Sequence, residues 1–158
     1  MGNDTALRGQ LARMLSWEDA HVGFDRAVGG LAEPMRGKKP SGLHSPWELL
    51  EHLRRTQHDI LEFCRNTDYQ ELEWPEDYWP PTPQPPSPGA WDESAEEFRR
   101  DRAALEELAA DTRVDLHGVI PHGTGQTYLR ELLLAADHTA YHVGQLILVR
   151  ELLDAWPR

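Results

Sequence analysis

The stretch Ser45-Pro46-Trp47-Glu48 marks the clearest helix start in the sequence. It places a capping serine first, a proline at the first helical position and a glutamate at the third, which is the pattern of a capping box. Apolar side chains then recur at the spacing of one helix face, at Leu49, Leu53, Ile60 and Phe63. We therefore predict an amphipathic helix over residues 46–66.

Similar patterns predict helices on both sides of this one. A short helix is expected over 4–15, and the weaker capping pattern at 16–19 predicts a longer helix over 17–32, ended by Pro34. The last and most apolar helix follows Gly123-Thr124-Gly125 and runs to about Trp156. An apolar stripe predicts a further long helix over 90–110, carried by Trp91, Ala95, Phe98, Leu105 and Leu108.

The segment between the two central helices is rich in proline. Seven of the twelve prolines lie between Pro75 and Pro88, so residues 68–89 are expected to form a long crossing loop that packs across the surface. No stretch alternates apolar and polar residues as a strand does. The sequence predicts an all-α fold, a four-helix bundle with a short extra N-terminal helix, as a single domain over residues 1–158.

Composition excludes several classes of protein. Sixteen Lys and Arg against 27 Asp and Glu give a net charge of −11, which disfavours binding to nucleic acid. The longest apolar runs, 132–136 and 146–149, are far shorter than a membrane span, and residues 1–10 lack the pattern of a signal peptide. The single cysteine, Cys64, excludes a disulfide framework within the chain. These features predict a cytoplasmic protein.

Three histidines are placed where they could share a metal ion. His138 and His142 are four residues apart, which puts both on one face of the last helix, beside apolar positions. His52 lies on the inward face of the helix over 46–66. The spacing of the pair alone fits metal ligands about as well as ordinary core or surface histidines. Three imidazoles with an open fourth position would suit a catalytic zinc or nickel ion, with iron, cobalt and manganese left open.

Two familiar metal sites are excluded. Thr139 follows the first histidine of the pair, where a metalloprotease of the His-Glu-x-x-His type needs a glutamate as general base. A ferritin-like di-iron site needs a Glu-x-x-His motif from each of two helices, and the two helices that carry His52 and the histidine pair contain no such motif.

The histidines and their neighbours resemble a known family. Ser45-Pro46-Trp47, Leu50-Glu51-His52 and the stretch 137–145, which reads Asp-His-Thr-Ala-Tyr-His-Val-Gly-Gln, are similar to the DinB/YfiT-like superfamily of bacterial metal-binding four-helix bundles. The resemblance covers nearly the whole chain. It implies that one histidine of the second bundle helix and a His-x-x-x-His pair in the last helix hold a divalent metal. The matching positions are His52, His138 and His142.

The resemblance also implies a range of functions. Characterised relatives include transferases that use bacillithiol and an isomerase that uses mycothiol, and the family tends to form dimers. We expect a homodimeric, metal-dependent enzyme that acts on a small electrophilic substrate by thiol transfer or hydrolysis, with a low-molecular-weight thiol as a further cofactor. The alternative is a stress-associated metal-binding protein without catalysis, which acts as a binding or interaction module.

Three polar side chains are candidates for supporting roles. His21 is a candidate base or fourth ligand, and otherwise a histidine near a helix start. Gln145 shares the face of His142, where it could orient a bound water or a ligand histidine or serve as a polar core residue. Asp59 is a candidate partner of a ligand histidine or of an arginine such as Arg13 or Arg26.

The remaining candidates are apolar or exposed. Cys64 is expected to be a small buried residue rather than a nucleophile. His58 is expected to face away from His52, at the surface. Four tryptophans are candidates for the walls of a substrate pocket or for loop anchors: Trp47, Trp74, Trp79 and Trp91.

Overall fold

The computed structural model describes residues 2–157, and these residues form an all-helical fold. They contain no strand, only one isolated bridge between Val119 and Thr127. The predicted all-α class is confirmed, while Met1 and Arg158 lie outside the described residues. The helices are α1 (Gly2–Met14), α2 (Phe24–Val28), α3 (Pro46–Arg65), α4 (Ala90–Ala110) and α5 (Tyr128–Leu152), with a 3-10 turn at Glu33–Met35.

The start of α3 has the capping box that its sequence predicts. The Ser45 hydroxyl accepts a hydrogen bond from the Glu48 amide at 3.1 Å, and the Glu48 carboxylate accepts one from the Ser45 amide at 2.7 Å. Two amides that the helix itself leaves without partners are thereby satisfied. The range predicted from this pattern agrees with the observed helix to within one residue.

The end of α5 lies earlier than predicted. The helix stops at Leu152 instead of about Trp156, because Asp154 adopts a left-handed backbone conformation with φ of 52°. The Ala155 amide then donates to the Arg150 carbonyl at 2.7 Å, and the Asp154 amide donates to the Glu151 carbonyl at 3.0 Å. This is the Schellman pattern of helix termination, with an aspartate where glycine is usual.

The helix predicted over 17–32 is wrong. Only Phe24–Val28 is helical there, and Gly23 directly precedes it in an extended conformation. Gly29 and Gly30 end it, and Gly30 has a positive φ of 67°. Glycine ends helices readily because it loses the most conformational entropy in a helix and adopts positive φ without strain. Of the two N-terminal helices, α1 is the longer and α2 the shorter, which reverses the expected order of their lengths.

Two clusters of buried side chains make up the core, one at each end of the bundle. One combines the first halves of α3 and α4 with the last half of α5, and α2 packs on it. The other combines the opposite halves of these three helices, and α1 packs on it. The fourth position of the bundle is therefore shared between α1 and α2, one for each cluster.

Helices α3 and α4 run parallel. Their contacts advance together along both helices, from Glu51 with Ser94 at 2.9 Å to His58 with Asp101 at 2.9 Å. A connection between parallel helices must return along the first, about 30 Å for a helix of this length. Residues 66–89, without helix or strand, make that return as the predicted crossing loop.

The C-terminal end of α5 is tied to α2 by a buried arginine. Arg150 is fully buried and donates to the carbonyl oxygens of Ala27, Gly29 and Ala155. Its guanidinium also lies over the Trp156 ring, 5.0 Å from the ring centre. None of the helices in the described part of the chain is long and apolar enough to cross a membrane.

A buried carboxylate joins α3 to α4. Glu51 accepts hydrogen bonds from Arg54 at 2.6 Å, from Arg55 at 2.9 Å and from the Ser94 hydroxyl at 2.9 Å. Burial acts to raise the pKa of Glu51, but the two arginines and Ser94 outweigh it and hold the pKa below the ordinary 4.5. Glu51 therefore stays ionised in the folded protein.

The depressed pKa of Glu51 predicts a pH dependence of stability. Its contribution is fully present above about pH 4.5 and is lost as the pH falls through the lower folded-state pKa. We expect Glu51→Gln to lower the free energy of unfolding at pH 7 by about 2 kcal/mol and to flatten its acid dependence. Urea unfolding at several pH values measures both effects.

Glu97→Gln is the matched control, because Glu97 also contacts Arg54, at 3.1 Å, but its side chain is 45% exposed, against 8% for Glu51. Its cost should stay below about 0.5 kcal/mol. Equal losses and equal acid profiles for the two variants would contradict the role assigned to Glu51.

Candidate metal centre

Three histidines from two helices converge between α3 and α5. His52 is on α3, and His138 and His142 lie one turn apart on α5. The Nε2 atoms of His52 and His138 are 3.1 Å apart, and one ring nitrogen of each of the three residues lies within 4.8 Å of the others. The spacing and placement predicted from the sequence thus bring these three side chains together.

Hydrogen bonds fix the orientation of two of the rings. His52 donates from Nδ1 to the Tyr78 carbonyl at 3.0 Å, since a carbonyl oxygen can only accept. His142 donates from Nδ1 to the Gln145 side-chain oxygen at 2.8 Å. In a neutral imidazole with Nδ1 protonated, Nε2 carries the lone pair that a metal requires.

Burial keeps all three imidazoles neutral. Loss of hydration is the main cause that lowers the pKa of His52 to about 4 and that of His138 to about 3, and neighbouring histidines add to both shifts. The pKa of His142 is also lowered, chiefly by burial. At neutral pH these histidines do not carry a proton that would compete with a metal ion.

The arrangement fits a divalent metal ion. Two nitrogens bound to one tetrahedral zinc at about 2.05 Å are about 3.3 Å apart, close to the 3.1 Å between His52 and His138. Because the His52 Nε2 bears a lone pair, the His138 Nε2 must either donate a proton to it or share a cation with it. Gln145 and the Tyr78 carbonyl are the outer hydrogen-bond partners that metal-binding histidines usually have.

Aromatic side chains of the crossing loop cover one side of this centre. The Trp79 ring is stacked between His52, at 3.9 Å between ring centres, and His44, at 4.1 Å. Trp74 approaches His52 edge-on at 6.3 Å and is largely exposed. The other two candidate wall residues, Trp47 and Trp91, are buried in the core instead.

The structure separates the supporting candidates. Gln145 contacts a predicted ligand, whereas His21 is exposed and its Nδ1 lies 3.0 Å from the Val22 carbonyl. His21 lines a cavity of about 180 Å³ beside Ala140 and Val143. At 100° per residue Ala140 lies about 160° around α5 from both histidines and Val143 at least about 100°, so the fold does not bring His21 to the centre.

Asp59 takes neither of its two expected partners. It accepts hydrogen bonds from the Tyr69 hydroxyl at 2.7 Å and the Tyr78 hydroxyl at 2.8 Å, and from neither Arg13 nor Arg26. Arg13 pairs with Asp19 instead. Sequence reasoning also missed Tyr78 as a partner of His52, because any residue of the loop has a carbonyl and nothing in the sequence singles this one out.

The comparison with protein families agrees with this geometry. The family model described as the DinB superfamily matches residues 8–146, which is most of the chain. The chain belongs to the DinB superfamily. No curated protein and no solved structure is significantly similar to it. The DinB assignment and the histidine cluster are together compatible with a metal-binding protein.

The only cysteine of this DinB protein is inaccessible. Cys64 is buried late in α3, and burial, followed by the nearby Glu131 carboxylate, raises the pKa of its thiol to about 12. At pH 8 roughly one thiol in ten thousand would be ionised. Cys64 therefore cannot serve as a ready nucleophile.

We expect native Cys64 to react very slowly with a disulfide reagent such as Ellman's reagent at pH 8, and quantitatively in denaturant. The control is Val119→Cys in a Cys64→Ala background, because Val119 is 55% exposed. That thiol should react at least about a hundredfold faster than native Cys64. Comparable rates for the two thiols would contradict the burial of Cys64.

Proposed function

We propose that this protein is a metal-dependent enzyme that transfers a small thiol to an electrophilic substrate. One observation carries the proposal: three neutral histidines present ring nitrogens within 4.8 Å of one another, two of them oriented by partners at Nδ1. Membership of the DinB superfamily supports it. His52, His138 and His142 would hold the metal.

A metal ion held by these three histidines would keep a coordination position open for a reactant. Three protein ligands, rather than four, are typical of catalytic zinc sites, where the remaining position takes water or a substrate. A zinc or nickel ion held there would supply Lewis acidity, which makes the proton of a thiol or a water easier to remove near neutral pH. The residues around the centre orient the histidines. Tyr78 fixes the ring of His52, Gln145 fixes the ring of His142, and Trp79 covers His52.

The thiol must come from outside the chain, because Cys64 is buried and not ionised. In the proposed reaction the S–H bond of a small thiol breaks and its sulfur bonds to an electrophilic carbon. The leaving group departs with its bonding electron pair, and the thiol proton passes to solvent. Exposed aromatic rings near the centre, those of Trp74 and Tyr141, offer apolar contacts to the substrates.

Burial of His52 and His142 favours a second candidate function, a metal-binding module without catalysis. His52 is only 3% exposed and His142 only 8%. A centre covered to this extent could be closed to substrates, and its metal would then stabilise the fold or a binding surface.

The first test is metal content. Protein purified without a metal-affinity tag should contain, or take up, about one divalent transition metal ion per chain. The double variant His138→Ala/His142→Ala should lose it, whereas His58→Ala/His122→Ala removes two exposed histidines outside the cluster and should keep it. Elemental analysis after dialysis measures both, and a wild-type chain that takes up no metal would rule out both candidate functions.

The second test is activity. Metal-loaded protein should accelerate the reaction of dithiothreitol with chlorodinitrobenzene about tenfold or more over the metal-free protein, and His138→Ala should abolish the gain. Nitrophenyl acetate, assayed in parallel without a thiol, reports hydrolysis. His58→Ala is the control variant, with unchanged activity expected.

The possible results separate the candidates. Turnover of the ester alone would show that water, not a thiol, is the nucleophile. Metal binding without turnover across a panel of thiols and electrophiles would favour the non-catalytic module.

A further inference from the structure

Tyr78 contacts α3 at two points. Its hydroxyl donates to the Asp59 carboxylate at 2.8 Å, and its backbone carbonyl accepts from the His52 Nδ1 at 3.0 Å. Asp59 follows His52 by seven residues, which is about 10.5 Å along the helix and about 20° around it. A single tyrosine thus lies along two turns of one helix face and joins a predicted metal ligand to a carboxylate.

The loop around Tyr78 has no regular structure that would hold the carbonyl in place. It lies in the crossing loop, within a turn whose backbone bond runs from the Tyr78 amide to the Pro75 carbonyl at 3.2 Å. Arg55 supports the backbone on both sides of Tyr78 by donating to the Asp77 carbonyl at 3.0 Å and to the Trp79 carbonyl at 3.4 Å. The phenol of Tyr78 adds a second direct contact with α3, through Asp59, to the one that its carbonyl makes with His52.

We propose that Asp59 and Tyr78 are positioning residues that hold the His52 ring with Nδ1 protonated and Nε2 directed at His138. The inference rests on the proposed metal site, which it deepens. Loss of the phenol–carboxylate bond frees the loop carbonyl, and His52 then loses the acceptor that selects its tautomer. Thr56, whose hydroxyl is 3.5 Å from the same Nδ1, is too distant to replace that acceptor well.

The chain supplies a closely matched control in Tyr69. Its hydroxyl donates to the other oxygen of the same Asp59 carboxylate, at 2.7 Å. The Tyr69 carbonyl, however, accepts from the Gln70 side chain at 3.1 Å and not from a ligand histidine. Tyr69→Phe and Tyr78→Phe therefore each remove one hydrogen bond to Asp59, but only Tyr78→Phe disturbs the connection to His52.

The first measurement is zinc affinity, by competition with a coloured chelator, for the wild type and both variants. Tyr78→Phe should weaken zinc binding about tenfold, whereas Tyr69→Phe should change it less than about twofold. Thermal unfolding of the metal-free proteins should give similar midpoints for the two variants. Equal zinc affinities for the two variants, or losses that simply follow the unfolding midpoints, would overturn the proposal.

The second measurement does not depend on metal binding. In metal-free protein labelled with nitrogen-15 histidine, long-range proton–nitrogen NMR at pH 7 reports the tautomer of each ring, and His52→Ala identifies the His52 signals. His52 should be in the Nδ1–H form in wild type and Tyr69→Phe, and should shift toward the Nε2–H form in Tyr78→Phe. The Nε2–H form in the wild type would refute the proposal. If the wild type took up no zinc, the proposed function would fail, and the tautomers would still decide the role of Tyr78.

Discussion

The parallel arrangement of α3 and α4 constrains everything around the histidine cluster. A chain that leaves the end of α3 must return about 30 Å before α4 can begin beside the start of α3. Proline suits such a path because it disfavours helix and central strand. The returning chain passes along the flank of α3, and this route places Tyr78 and Trp79 against His52. The crossing loop is a wall of the site rather than a linker.

Burial and hydrogen bonding act together on the histidines. Burial removes the charged form of each imidazole, so each ring keeps one N–H and one lone pair. Acceptors at Nδ1 of His52 and His142 then determine which nitrogen carries the lone pair. The surroundings therefore set the protonation of the imidazoles, and the tautomer of two of them, before any cation arrives. This lowers the free-energy cost of binding a cation.

The sequence predicted those features that depend on local pattern. The capping box at Ser45 and the spacing of His138 and His142 depend on residues within one or two turns, and the structure has both features. The prediction of a helix over 17–32 was wrong because the glycines on both sides of Phe24–Val28 limit the helix in spite of the capping pattern at 16–19. The Tyr78 contact could not be predicted, because it uses a backbone carbonyl and depends on the path of a loop.

The two oriented histidines differ in what holds them. His142 is held by Gln145, three residues away on the same helix, so its orientation is as stable as α5. His52 is held by an acceptor 26 residues away in a loop without regular structure, so its orientation is only as stable as that loop. A molecule that moved the loop would disturb the orientation of His52, while His142 would keep its partner on α5. Because coupling between two binding events is reciprocal, a metal ion that requires this His52 orientation must in turn stabilise the loop around Tyr78.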